Sequence, residues 1–178
     1  GKPMIYLGLG QPDFKTPKHI VDAAKKALDE GHHGYVLSNG ILECRQAVTR
    51  KIKKLYNKDV EPERVLIMPG GKPTMYYAIL CFGELGAEII HPTPAFPIYE
   101  SMINYTGSTA VPYDLTEDKD LKFNPEKILS LITEKTRLLI LINPNNPTGS
   151  FVEKPVIDKL AEGLKKHPHV TILSDEIY

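Results

Sequence analysis

The segment RLLILI, residues 137–142, carries the strongest strand signal in the chain and decides the class of fold. Five of its six residues are aliphatic, so apolar and polar side chains do not alternate along it. Alternation marks a strand with one face in water, whereas a strand covered on both faces is apolar throughout. The segment therefore predicts a central strand of a parallel sheet that has helices on both faces.

Similar short runs accompany this segment and alternate with helical patterns from residue 64 onward. The further strands are predicted at RVLIM (64–68), AEIIH (87–91), TAVPY (109–113) and VTILS (170–174). The helices are predicted from about Thr74, from Pro97, from Pro125 and over residues 153–166. Thr16 before Pro17 and Asn124 before Pro125 are predicted to cap helices. Strands that alternate with helices are typical of βαβ crossovers, so the sequence predicts an α/β fold with a mainly parallel sheet.

The composition excludes several classes of partner. Lysine and arginine together number 22, as do aspartate and glutamate, so no net charge attracts nucleic acid or an anionic membrane. No run of about 18 apolar residues is present to span a bilayer. Cys44 and Cys81 lack the spacing of a metal site and are expected to be reduced. We therefore expect a cytoplasmic protein that handles small molecules, without a metal, nucleic-acid or membrane partner.

Three segments that follow predicted strands hold residues unsuited to a core. MPGGKPT (68–74) could be a tight turn, or it could bind a phosphate at a helix N-terminus that offers free N–H groups. NPNNPTGS (143–150) could be a turn, or it could hold amide side chains at fixed positions. Asp175 in SDEIY could cap a helix or could face a buried cation. In a parallel sheet these segments meet at the carboxyl ends of the strands, where ligands bind.

Taken in order, the motifs of this chain resemble those of one enzyme family. The stretches are LGLGQPDFKTP, GYVLSNGILECRQAV, MPGGKPTMYYAI, PTPAFPIYE, NPNNPTG and SDEIY. They resemble the class I aminotransferases, in the aspartate aminotransferase-like branch of the fold-type I pyridoxal-phosphate enzymes. The resemblance covers nearly the whole chain. It implies an enzyme that moves an amino group between an amino acid and a 2-oxo acid, with pyridoxal 5'-phosphate as the cofactor.

The resemblance also implies residues that bind the cofactor. Gly71 and Lys72 would offer backbone N–H groups to its phosphate, with the Lys72 side chain directed elsewhere. Phe96 would stack on the pyridine ring, at a position where the family often has Trp or Tyr. Asn146 would donate a hydrogen bond to the phenolic oxygen of the ring, and Tyr178 would do the same from the other side.

Three further roles follow from the same resemblance. Asp175 would face the pyridine nitrogen and keep it protonated through a charge-assisted hydrogen bond, which makes the ring an electron sink. The backbone of Gly10 would help to hold the substrate carboxylate. Tyr35 would reach the cofactor phosphate of a neighbouring subunit, which implies a homodimer.

The family's Schiff-base lysine, its basic phosphate ligands and its substrate-binding arginine follow the SDEIY motif, and none is matched in this sequence. We therefore expect an N-terminal fragment that holds an incomplete large domain and is inactive alone. Residues 1–40 are expected to form the substrate and dimer-contact loops, and residues 41–178 part of the cofactor-binding large domain. Two alternatives stay open: a pyridoxal-phosphate-dependent lyase or decarboxylase of the same fold, and a non-catalytic binding or dimerisation protein.

Overall fold

The chain divides into two compact units in a computed structural model that describes residues 3–6, 8, 10–115 and 123–178. The N-terminal unit is Gly1–Ile67 and the C-terminal unit is Met68–Tyr178. The roles expected for residues 1–40 and 41–178, as substrate and dimer-contact loops and as part of the cofactor-binding domain, stay predictions. Within the described residues, no helix is long and apolar enough to cross a membrane.

The N-terminal unit is built from helices α1 (Lys18–Asp29) and α2 (Leu42–Tyr56), followed by a 3-10 turn at Pro62–Arg64. Arg45 in α2 is buried, which is unusual for a charged side chain. Its Nε donates to the Gly40 carbonyl at 3.1 Å, and its Nη1 donates to the Pro62 carbonyl at 3.0 Å. Arg45 therefore ties the loop before α2 to the turn after it.

One predicted helix cap is confirmed and the other is wrong. Asn124 precedes helix α5 (Pro125–Ser130), and its Oδ1 accepts a hydrogen bond from the Lys127 N–H at 3.0 Å. Helix α1 has no side-chain cap, because the residue at its cap position is Pro17 and not Thr16. Proline has no side-chain acceptor for the free N–H groups of the first turn.

The predicted strand RVLIM is wrong, although its backbone is extended at Val65 (φ −106°, ψ 127°). The N–H of Ile67 donates to the carbonyl of Asn39 at 3.1 Å, but the segment joins no strand of the sheet that the described residues form. A β-strand is defined by a ladder of hydrogen bonds to a neighbouring strand. An apolar, β-branched run supplies the extended backbone but does not by itself supply the partner.

The C-terminal unit confirms the predicted parallel sheet. Its strands are β1 (Glu88–Thr93), β2 (Thr109–Asp114), β3 (Thr136–Ile142) and β4 (Thr171–Asp175), in the order β2-β1-β3-β4. All neighbouring pairs are parallel. The helices are α3 (Gly71–Phe82), α4 (Ile98–Tyr105), α5 and α6 (Lys154–Leu164). The four strand segments AEIIH, TAVPY, RLLILI and VTILS are therefore confirmed.

Two apolar layers cover the sheet, one on each face. The first layer joins α3 and α4 to the sheet through Ile79, Ile89, Tyr99, Met102, Ile103, Leu138, Ile140 and Ile142. The second joins α5 and α6 through Ile90, Tyr113, Leu115, Ile128, Leu139, Leu141, Leu160 and Leu164. Alternate residues of β3 enter opposite layers, which explains why RLLILI is apolar at consecutive positions.

The strand order reverses between β1 and β3. The chain runs from β1 through α4 to β2 at one edge, and from β3 through α6 to β4 at the other. In open α/β sheets this reversal leaves a crevice beyond the carboxyl ends of the two central strands, where ligands bind. The loops that follow β1 and β3 border this crevice.

A buried histidine in β1 is expected to make folding stability depend on pH. The pKa of His91 is lowered, because burial disfavours the charged imidazolium. The hydrogen bond to the Pro92 carbonyl and the nearby charge of Glu100 raise this pKa, but by less than burial lowers it. The unfolded chain, with an ordinary pKa of 6.5, then binds a proton more readily than the folded chain. The free energy of unfolding therefore falls as the pH drops below that value, by at most about 1.4 kcal/mol per pH unit.

Urea unfolding at several pH values between about 7 and 5 tests this expectation. His91→Leu should flatten the pH dependence of the free energy of unfolding. His19→Leu, at an exposed site in α1, is the control and should leave it as in the wild type. An identical pH dependence for the two variants would contradict the role given to His91.

Candidate functional site

Asp175 ends β4 at the carboxyl edge of the sheet, paired with Ile142 of β3. Its carboxylate is half-buried and accepts two hydrogen bonds. The Tyr99 hydroxyl donates to Oδ2 at 2.5 Å, and the Ile177 N–H donates to Oδ1 at 3.2 Å. These bonds fix the orientation of a negative charge at the end of a strand.

Tyr99, the donor to Asp175, was not among the residues predicted for the site. Its ring is fully buried in α4, and burial raises the pKa of its hydroxyl far above the ordinary value. The hydrogen bond to Asp175 raises that pKa further, so Tyr99 stays protonated and acts as a donor. Tyrosine in an amphipathic helix is typical of a core residue, and its partner lies 76 residues away in sequence. The sequence therefore carried no local signal for the contact.

The start of α3 is suited to an anion. Gly70 precedes the helix with φ +96° and ψ 173°, a conformation that essentially only glycine adopts. No side chain caps the helix, so the N–H groups of Gly71 and Lys72 meet no capping oxygen at the positive end of the helix dipole. Lys72 holds its Nζ 5.8 Å from the centre of the Phe96 ring, and the role of its side chain stays a prediction.

The loop after β3 is held by its own asparagines. Asn143 exchanges two hydrogen bonds with Val152: its Nδ2 donates to the carbonyl at 3.3 Å, and its Oδ1 accepts from the N–H at 2.9 Å. Asn146 Nδ2 donates to the Tyr178 hydroxyl at 2.9 Å. Asn146 and Tyr178 therefore converge closely enough to reach a single oxygen atom of a ligand.

One cavity of about 190 Å³ brings together the six residues of the C-terminal unit that were predicted to bind a cofactor. They are Gly71, Lys72, Phe96, Asn146, Asp175 and Tyr178, and they are joined by Met75, Ile142 and Ile177. Gly10 and Tyr35 lie exposed in the N-terminal unit. The structure thus shows which of the predicted residues share a cavity, and the role of each residue stays a prediction.

The sequence profile of the family described as aminotransferase class I and II matches residues 2–178. The chain belongs to this family. It is 38% identical, over 98% of its length, to the probable aspartate aminotransferase of Methanocaldococcus jannaschii, of which it covers 46%. This shows the aminotransferase family that the motifs implied.

Solved aminotransferases share the fold of this chain. The aspartate aminotransferase of Rhizobium meliloti superposes with a TM-score of 0.94 at 30% identity, over 99% of this chain and 44% of that one. The aromatic aminotransferase of Pyrococcus horikoshii superposes with a TM-score of 0.89 at 33% identity, over 96% of this chain and 46% of that one. The chain therefore spans less than half the length of these relatives.

The arrangement of this aminotransferase cavity suits an aromatic, anionic ligand. It offers helix N–H groups for an anion, a ring for stacking, an amide and a hydroxyl for an oxygen, and a carboxylate for a protonated nitrogen. Among the described residues, no group of three or more His, Cys, Asp or Glu side chains could hold a metal ion.

Removal of the Tyr99 hydroxyl is expected to destabilise the aminotransferase fold. Tyr99→Phe leaves Asp175 without one of its two donors, and we expect the free energy of unfolding to fall by about 1–2 kcal/mol. Urea unfolding near neutral pH measures the difference. Tyr105→Phe, which removes a hydroxyl from an exposed position of the same helix, is the matched control. Equal stability of the two variants would show that the bond between Tyr99 and Asp175 contributes nothing.

Proposed function

We propose that this chain forms much of the pyridoxal-phosphate site of an aminotransferase that moves an amino group between an amino acid and a 2-oxo acid. The observation that carries the proposal is the convergence of Gly71, Phe96, Asn146, Asp175 and Tyr178 on one cavity. When bound, pyridoxal phosphate supplies an electron sink that acidifies the Cα proton of an amino acid. The residues of this chain bind and orient that group.

The N-terminus of α3 holds the phosphate in this proposal. The backbone N–H groups of Gly71 and Lys72 point along the helix axis, where the helix dipole favours negative charge. Pro73 follows without an N–H and therefore leaves no third donor unsatisfied at the start of the helix. The Lys72 ammonium adds a positive charge that lies over Phe96.

Asp175 holds a proton on the pyridine nitrogen. A carboxylate that is hydrogen-bonded by Tyr99 and by the Ile177 N–H has a fixed direction, so it can meet a cation at one place. Since Tyr99 remains protonated, it donates to Asp175 and cannot compete with the nitrogen for the proton. The ring nitrogen is then kept in its cationic form beside the carboxylate.

The phenolic oxygen and the ring face are bound by the remaining residues. Asn146 Nδ2 and the Tyr178 hydroxyl lie 2.9 Å apart and can both donate to the oxygen, which favours its ionised form. Phe96 lines the same cavity, and in the proposed site it stacks on the pyridine ring and excludes water from that face.

Gly10 and Tyr35, in the N-terminal unit, bind the substrate and the partner subunit's cofactor. Gly10 holds the substrate carboxylate with its backbone, and Tyr35, which is fully exposed, reaches the phosphate in the partner of a cytoplasmic homodimer. The substrates are an amino acid and a 2-oxo acid. The fold does not select one amino acid as the substrate, since relatives named for aspartate and for aromatic amino acids share it.

Equilibrium dialysis of the 178-residue chain against pyridoxal phosphate and against pyridoxal tests the proposed function. We expect loose, saturable, non-covalent binding of pyridoxal phosphate, and binding of pyridoxal that is at least tenfold weaker because it lacks the phosphate. Phe96→Ala should weaken both, whereas Phe151→Ala, at an exposed site outside the cavity, should weaken neither. Absence of saturable binding, or equal binding of both compounds, would overturn the proposed cofactor site.

A further inference from the structure

Asn145 is a buried polar residue that the proposed cofactor site does not use. Its side chain is only 4% exposed, and it is absent from the residues that line the cofactor cavity. Its Nδ2 donates to the carbonyl of Pro94 at 3.2 Å and to the Thr148 hydroxyl oxygen at 2.8 Å. One amide group therefore makes two hydrogen bonds to different parts of the chain.

These two acceptors belong to the two loops of the crevice. Pro94 follows β1 and lies two residues before Phe96, whereas Thr148 lies two residues after Asn146 in the loop that follows β3. Since β1 and β3 are the neighbours between which the strand order reverses, Asn145 joins the loops on both sides of the reversal. It thus links the loop that carries the stacking ring to the loop that carries the amide donor.

The surrounding hydrogen bonds determine the orientation of the Asn145 amide. The Pro94 carbonyl can only accept, so a rotated amide would place Oδ1 against another acceptor. The Thr148 hydroxyl accepts from the Ser150 N–H at 3.2 Å and lies 2.7 Å from the Ser150 hydroxyl, to which its proton can be donated. Asn145 Oδ1 is buried without a partner among the described residues, so the side chain is held by its donor group alone.

We propose that Asn145 is a positioning residue that sets the place of Asn146 relative to Phe96. The inference rests on the proposed function, since it assigns Asn146 to the phenolic oxygen and Phe96 to the ring face. Asn145 acts through its neighbour and touches no cofactor atom. Without the two hydrogen bonds of Asn145, the loop after β3 moves relative to the loop after β1. The amide of Asn146 then no longer points at the phenolic oxygen of a ring that Phe96 holds in place.

The first test uses the absorption spectrum of pyridoxal phosphate bound to the full chain, because the phenol and phenolate forms of its hydroxyl absorb differently. Asn145→Leu, which keeps the volume and loses the donor, should raise the apparent pKa of that hydroxyl by about one unit and weaken binding about tenfold. Thr148→Val should cause smaller changes in the same direction, because it removes one of the two acceptors of Asn145. Thr148→Ser keeps the hydroxyl and should cause smaller changes than Thr148→Val. Asn104→Leu, an equal change at an exposed site of α4, is the control.

A double-mutant cycle separates positioning from general structural damage. In an Asn146→Ala background, Asn145→Leu should leave the spectrum of the bound cofactor unchanged, because the group through which it acts is gone. A shift of equal size in both backgrounds would overturn the positioning role. A wild-type spectrum of the bound cofactor in Asn145→Leu or Asn145→Asp would also overturn the positioning role.

A second measurement tests the role of Asn145 in the absence of the cofactor. In the free chain, nuclear magnetic resonance should show altered shifts for the side-chain amide of Asn146 and roughly tenfold faster exchange of the Gly149 N–H in Asn145→Leu. The Gly149 N–H donates to the Asn145 carbonyl at 2.8 Å and so reports on this loop. Failure of the wild type to bind pyridoxal phosphate would overturn the proposed function, whereas unaltered Asn146 and Gly149 signals would overturn the role of Asn145 alone.

Discussion

Asp175→Ala is expected to weaken the binding of pyridoxal phosphate to the 178-residue chain by between roughly tenfold and a hundredfold. The substitution removes the only carboxylate among the residues that line the cavity in the described part of the chain. It also leaves the buried Tyr99 hydroxyl without its acceptor. In the proposed site Asp175 makes a charge-assisted hydrogen bond to a protonated ring nitrogen, and bonds of this kind are roughly twice as strong as neutral ones.

Equilibrium dialysis measures the effect, and two further variants interpret it. Asp175→Asn keeps the shape and an acceptor for Tyr99 but removes the charge, so it should weaken binding by nearly as much as the alanine variant. Glu176→Ala removes the next carboxylate along the chain, which lies outside the cavity, and should leave the affinity within about twofold. Equal losses for Asp175→Asn and Glu176→Ala would contradict the pairing of Asp175 with the cofactor nitrogen.

The second large effect is an absence of turnover. Transamination needs a lysine that is held against the aldehyde of the cofactor and that moves the Cα proton. No lysine in this sequence matches the segment that carries it in the family. We therefore expect the 178-residue chain, supplied with pyridoxal phosphate, a panel of amino acids and 2-oxoglutarate, to form no 2-oxo acid above the background of the free cofactor.

Reduction with borohydride followed by mass analysis gives the matching chemical readout. No single lysine should become attached to the cofactor stoichiometrically. Steady turnover together with a modified Lys72 would show that this side chain, which already lies over Phe96, supplies the amine. Lys72→Arg, which keeps the positive charge but not the primary amine, would then abolish the activity.

The apolar runs predicted the strands well where a partner strand was available. RLLILI and AEIIH became the central strands β3 and β1, because a strand that packs into two layers has apolar residues at consecutive positions, such as Leu138 with Leu139 and Ile89 with Ile90. RVLIM is similarly apolar but joins no sheet in the described residues. Strand pairing is a contact between distant segments, so a local pattern predicts an extended backbone and cannot predict its neighbour.

Site residues could be predicted from the sequence where the residue type was unusual for the segment that contains it. A carboxylate at the end of an apolar strand and two glycines at the start of a helix signal unusual chemistry, and Asp175 and Gly71 do share a cavity. Tyr99 and Asn145 were missed because each looks ordinary in sequence, the first as a core aromatic and the second as one of three loop asparagines. Their bonds to Asp175 and Pro94 join elements that only folding brings together.

A crystal structure of the 178-residue chain soaked with pyridoxal phosphate tests the central claim most directly. We predict a pyridine nitrogen within hydrogen-bond distance of Asp175, the ring against Phe96, the phenolic oxygen at Asn146 and the phosphate at the Gly71 N–H. Cofactor bound at any other place, or in this cavity with its nitrogen directed away from Asp175, would contradict the account.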